Sequence, residues 1–128
     1  MKEKLPMLAG ALLGLVFVVF GLNFFLGFIA MPAPPEGSPP ALFFAAVGPT
    51  GFMAGVKVLE ILGGILVAIP KTRNFGLLVL GPIVINILGF NLFLIGGQAL
   101  FQPPVILVSA LSAYLLWDGR KKFLALLN

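Results

Sequence analysis

The chain has no cysteine and no histidine. The first absence removes disulfides, thiol relays and thiolate metal sites. The second removes imidazole metal ligands, haem ligation through His and a histidine general base. No metal site and no covalently held cofactor is therefore expected. Charge is nearly as scarce: Asp, Glu, Lys and Arg make up 9% of the residues, against about 25% in ordinary soluble domains.

What remains is apolar. Hydrophobic residues fill 60% of the 128 positions, and the mean hydropathy is +1.16. They form long blocks rather than periodic stripes, which predicts an all-α integral membrane protein whose first partner is the lipid bilayer. No polar segment is long enough to fold separately, so residues 1–128 read as one membrane domain. The formal net charge of +4 does not point to nucleic acid. Lys2, Lys4, Lys71, Arg73, Arg120, Lys121 and Lys122 sit at the ends of the apolar blocks, where membrane topology accounts for them.

In chain order, Met1 to Lys4 is a charged head and residues 5–29 form the first span. A cleaved signal peptide is the rival reading. The uncharged run exceeds a usual hydrophobic region of about 7–15 residues and no clear Ala-x-Ala site follows, so the segment reads as a retained helix. Residues 30–50 are a Pro-rich outer loop, with Pro32, Pro34, Pro35, Pro39 and Pro40 excluding regular helix until a short apolar half-helix from Ala41 to Val47. Residues 51–69 form the second span, stopped by Pro70, and Lys71 to Arg73 a tight basic turn. Residues 75–96 form the third. The fourth, residues 98–117, carries Pro103-Pro104 as a kink or in its first turn.

The positive-inside rule then gives a four-helix bundle with both termini cytoplasmic, in a bacterial- or archaeal-type cytoplasmic membrane, since the 30–50 and 97–104 loops hold no Lys or Arg. Gly21-Leu-Asn23-Phe-Phe25-Leu26 echoes Gly89-Phe-Asn91-Leu-Phe93-Leu94, which suggests a parallel repeat of two helical hairpins.

Within the apolar blocks a few polar groups stand out. Gly55-Val-Lys57-Val-Leu-Glu60-Ile-Leu-Gly63-Gly64 puts a cation and a carboxylate three residues apart, on one helical face. Ionisable groups at membrane depth face a bundle interior or a wet cavity and are candidate functional sites. At a rise of about 1.5 Å per residue from the cytoplasmic end, Glu60 and Asn86 fall at roughly 15–16 Å, Lys57 at roughly 20 Å, and Asn23 and Asn91 at roughly 24–26 Å. These five residues are the candidate intramembrane polar cluster. The pair reads either as a structural salt bridge or as a proton-exchanging, ligand-anchoring pair. The asparagines read as interhelical hydrogen-bond glue or as part of the site. Gly10/Gly14, Gly51/Gly55, Gly63-Gly64, Ser109 and Ser112 predict close helix packing. Phe17, Phe20, Phe24, Phe25 and Phe28 could line a slot for a flat ring, or face lipid and core.

The Lys-x-x-Glu-Ile-Leu-Gly-Gly pattern, together with Gly81-Pro-Ile-Val-Ile-Asn86-Ile-Leu-Gly-Phe-Asn91-Leu-Phe-Leu, resembles the DoxX family of four-helix membrane proteins. That family is named for a subunit of an archaeal thiosulfate:quinone oxidoreductase, and other members are tied to membrane redox or oxidative-stress complexes. The resemblance implies a fold, and association with a membrane redox system. Members similar to this chain tend to carry His where it has Asn91, which does not titrate near neutral pH.

Three functions follow. The first is a quinone- or small-ligand-binding subunit, with Glu60, Lys57 and Asn86 holding a polar head. The second is a non-catalytic structural or accessory subunit of a larger membrane complex, with other subunits or further copies of the chain as partners. The third, a small-solute or lipid carrier, has weak support without an inverted repeat. No self-contained catalytic constellation is present, so any electron transfer needs a partner or a diffusible quinone. A ligand-sized cavity reaching Glu60 favours the first function. Direct side-chain contact without one favours the second.

Overall fold

The computed structural model describes residues 4–30 and 33–127. Met1, Lys2 and Pro32, used above for the charged head and the outer loop, lie outside them. The protein is 86% helical, with no strand among the described residues.

The first helix, α1, spans Lys4–Leu26. Pro6 falls in its opening turn, where a missing N–H is tolerated. Its end comes three residues before the expected Ile29, because Gly27 adopts a left-handed φ of +65° and donates its N–H to the Asn23 carbonyl at 2.7 Å.

The loop departs further from expectation. Helix α2 covers Pro39–Val47, so Pro39 and Pro40 open regular structure rather than exclude it. Ser38 caps it, accepting from the Ala41 N–H at 3.4 Å. The first helical positions need no intrahelical donor, so two prolines there cost no hydrogen bond. A 3₁₀ turn, Gly48–Thr50, leads to Gly51, whose φ of +79° turns the chain into α3, Phe52–Ala68. The two helical pieces meet at 89°.

After α3 comes a 3₁₀ turn, Pro70–Thr72, in which the Thr72 hydroxyl donates to the Leu66 carbonyl at 2.7 Å and satisfies one of the last acceptors of α3. Helix α4 runs Arg73–Gly89 with Pro82 inside it, and continues as a π-helical stretch, Phe90–Ile95, to Gly96. The expected fourth helix is divided. A 3₁₀ turn occupies Gly97–Phe101, Gln102 is extended at ψ 139°, and α5 begins afresh at Pro103 and runs to Asp118. The physical reason is the constraint a proline places on the residue before it, which drives Gln102 out of the helical region. Pro103 is therefore a first-turn residue and no kink. A short α6, Arg120–Ala125, follows.

Helix α1 packs mainly on α3, α3 on α4, and α5 against both α1 and α4. Leu13, Phe17, Val67, Leu77, Leu80, Val108 and Leu115 form the core between them. Most other large apolar side chains, among them Leu15, Leu62, Ile85 and Phe93, face outward, an arrangement suited to lipid contact. Lys4–Leu26 and the unit Pro70–Ile95 are long and apolar enough to cross a membrane, and the bent pair Pro39–Thr50 plus Phe52–Ala68 would make a third crossing. Pro103–Asp118 is apolar but shorter. Among the described residues two helices, or three with the bent pair taken as one span, are thus long and apolar enough to cross. The 17 residues of α3 give about 26 Å of helix against a hydrocarbon core of about 30 Å.

Candidate functional site

The site is built on α3 because its small residues let it approach both neighbours. A β-carbon on Gly64 would lie 2.9 Å from the Gly14 carbonyl oxygen of α1, and one on Gly10 would lie 2.7 Å from the Val67 carbonyl. On the other side a β-carbon on Gly63 would strike Leu80 of α4 at 2.6 Å. The expected close packing at Gly10/Gly14 and Gly63-Gly64 is present. At Gly51/Gly55 it is absent, with open space around both residues.

Glu60 lies one turn before Gly63 and Gly64, on the same face of α3, and is buried. The Lys57 ammonium stands 3.2 Å from its Oε2 and 3.5 Å from its Oε1. Their side chains are 22% and 7% exposed, so the cation keeps one open side while the carboxylate is enclosed. Each charge has the other as its counter-ion, as the i, i+3 spacing predicts. This offsets part of the cost of placing them among apolar helices.

The asparagines do not join this pair. Asn23 is buried at the end of α1, and both halves of its amide bind the Ile29 backbone. Its Nδ2 donates to the Ile29 carbonyl at 3.2 Å and its Oδ1 accepts the Ile29 N–H at 2.6 Å. That closes the chain's exit from α1. Asn91 is buried in the π-helical stretch and donates to the Ile87 carbonyl at 2.7 Å. The two members of the sequence echo thus bond in opposite directions along the chain. Asn86, expected beside Glu60, is exposed and donates to the Pro82 carbonyl at 2.8 Å on its own helix. The reason is azimuth: Leu77, Leu80 and Val84 form the buried stripe of α4, and Asn86 stands about 200° around the axis from Val84.

Nor do the phenylalanines of α1 enclose a slot. Phe17 belongs to the core, whereas Phe24, Phe25 and Phe28 are exposed. The aromatic cluster that does form is Phe43 and Phe44 of α2 around Phe90, with ring centroids 5.4 and 5.3 Å from it. The doubled Phe43-Phe44 was its only sequence signal.

Two surface hollows accompany these features. One of about 420 Å³ lies in the turn Ile95–Gln102, and one of about 240 Å³ lies between α4 and α5, bordered by Gly81, Ile85, Ser109 and Ser112. Neither reaches Lys57 or Glu60. Ser112, buried in the α4–α5 seam, has a hydroxyl without a hydrogen-bond partner. Among the described residues no group of three or more His, Cys, Asp or Glu could hold a metal ion. Compared with known proteins, the chain matches no family model, no characterised protein and no solved structure.

Proposed function

We propose that this chain is a DoxX-like protein of a cytoplasmic membrane, crossing it four times with both termini inside, and that it serves as a non-catalytic subunit of a membrane redox assembly. One observation carries the reading. Lys57 and Glu60 bind each other directly, and neither hollow opens onto them. A pair so arranged keeps two charges neutralised within α3, and removing either would strand its partner. The basic turn at Lys71 to Arg73 and the basic segment Arg120 to Lys122 support the inward placing of those ends. The outward apolar side chains supply surfaces on which other membrane subunits can pack.

The quinone- or ligand-anchoring reading retains one favouring observation, the 22% exposure of the Lys57 side chain, through which a polar head could approach the ammonium. Two experiments separate the readings. Tagged protein drawn from its native membrane in mild detergent is expected to bring redox subunits with it, and recovery of the chain alone would overturn the accessory role. Titration of a quinone analogue onto purified Glu60→Gln protein is expected to match the wild type. A clear loss of binding with the fold intact would replace the structural reading with the ligand-anchoring one.

A further inference from the structure

We infer that the outward face of α4 is an interface for a second copy of this chain, centred on Asn86. Pro82, Ile85, Asn86 and Gly89 follow the i, i+3, i+4, i+7 spacing of a single helical face. Pro82, Ile85 and Asn86 are exposed, Ile85 to 70%. A β-carbon on Gly89 would meet nothing within 4 Å, so packing inside the chain gives no reason for glycine there.

Asn86 sets this face apart from the other apolar surfaces. Its Nδ2 gives one hydrogen to the Pro82 carbonyl. An amide carries a second hydrogen and an acceptor oxygen, and among the described residues Asn86 makes no other side-chain hydrogen bond. Pro82 also has no N–H to give the Leu78 carbonyl one turn earlier. In hydrocarbon these groups find no water, and a partner helix is the usual remedy.

The chemistry selects a second copy. Two copies inserted in the same direction are related by a two-fold axis along the membrane normal, so their α4 helices run parallel and a residue at the crossing meets its own counterpart. An amide is self-complementary: each Asn86 Nδ2 donates to the other's Oδ1. Ile85 then has the small Gly89 of the partner to pack against. The neighbouring α4–α5 hollow of about 240 Å³ is lined by Ile85, Ser109 and Ser112, leaving room for the partner's side chains beside the crossing. The inference rests on α4 lying in the membrane and is independent of any redox partner.

The chain's lack of cysteine makes the test direct. Full-length protein carrying Ile85→Cys is placed in phosphatidylcholine vesicles and oxidised, with Leu15→Cys on the outward face of α1 as the comparison. Ile85→Cys is expected to form disulfide dimers and Leu15→Cys to remain monomeric. Association is measured in parallel by fluorescence energy transfer on dilution with lipid. Asn86→Leu is expected to weaken it about three- to tenfold at unchanged helical content, and Gly89→Leu to abolish it. Cross-linking of Ile85→Cys no faster than Leu15→Cys, or undiminished association of Asn86→Leu, overturns the proposal. Either outcome leaves the co-purification result standing, because that result needs no second copy.

Discussion

Gly14 and Gly64 face each other where α1 crosses α3, and each occupies the space that the other's β-carbon would need. Among the described glycines no other pair meets reciprocally in this way. It lets α3 seat Lys57 and Glu60 in the seam along α1.

Gly14→Ala is therefore expected to destabilise the bundle by about 1–3 kcal/mol, the usual cost of an added methyl in a filled contact. Gly55→Ala, with open space around it, should be neutral or stabilising by up to about 1 kcal/mol through helix propensity alone. Denaturation in detergent, followed by circular dichroism, compares them. Equal losses would contradict the assignment of these two glycines to different roles.

The ion pair predicts a non-additive pattern. Lys57→Met should cost about 2–3 kcal/mol, near or just below the usual range for breaking a buried pair, since the cation is 22% exposed. Lys57→Met combined with Glu60→Leu should recover most of that loss, because no charge is then stranded. A double variant as unstable as the sum of its single changes would show that the two residues act separately.

Asn23 holds two backbone hydrogen bonds at the exit of α1. Asn23→Ala is expected to cost about 1–3 kcal/mol by removing both hydrogen bonds to the Ile29 backbone. Amide exchange should accelerate most at Ile29, whose N–H loses its acceptor, and little at Leu13. Uniform acceleration along α1 would argue for a global role instead.

At Gly51 the positive φ is the requirement. Gly51→Ala places a β-carbon in a left-handed conformation at a cost of about 1–2 kcal/mol. The bend between α2 and α3 is expected to loosen, seen as faster proteolysis of the segment before Gly51, while the α1–α3 contact survives. Proteolysis at the wild-type rate would show that the turn tolerates a side chain.

Spacing along one helix was readable before the structure. The contact of Lys57 with Glu60 follows from three residues' separation, and the close approach at Gly10 and Gly14 from the small-residue pattern. Asn86 shows where such reading stops. Residue count gives height along a helix, but the direction a side chain points depends on which neighbours pack on α4, and that is fixed by partners distant in sequence. The same limit explains Gly51 and Gly55, whose spacing is right for packing although Gly51 is the left-handed turn before α3 and Gly55 faces open space. The prolines of the outer loop depart from expectation for a local reason. Pro39 and Pro40 read as excluding helix, yet both stand in a first turn, where the missing N–H has no partner to lose, and Pro103 takes the first-turn place that was one of its two readings.

Unequal helix length carries a consequence for the surrounding bilayer. Helix α1 has 23 residues and α5 has 16, about 35 Å and 24 Å of helix. In the four-crossing arrangement proposed above, lipid beside α1 meets a full hydrophobic thickness, whereas lipid beside α5 must compress or the protein must tilt. The molecule would act as a wedge in thickness, stretching the bilayer on one flank and thinning it on the other, at fractions of a kcal/mol per ångström of mismatch.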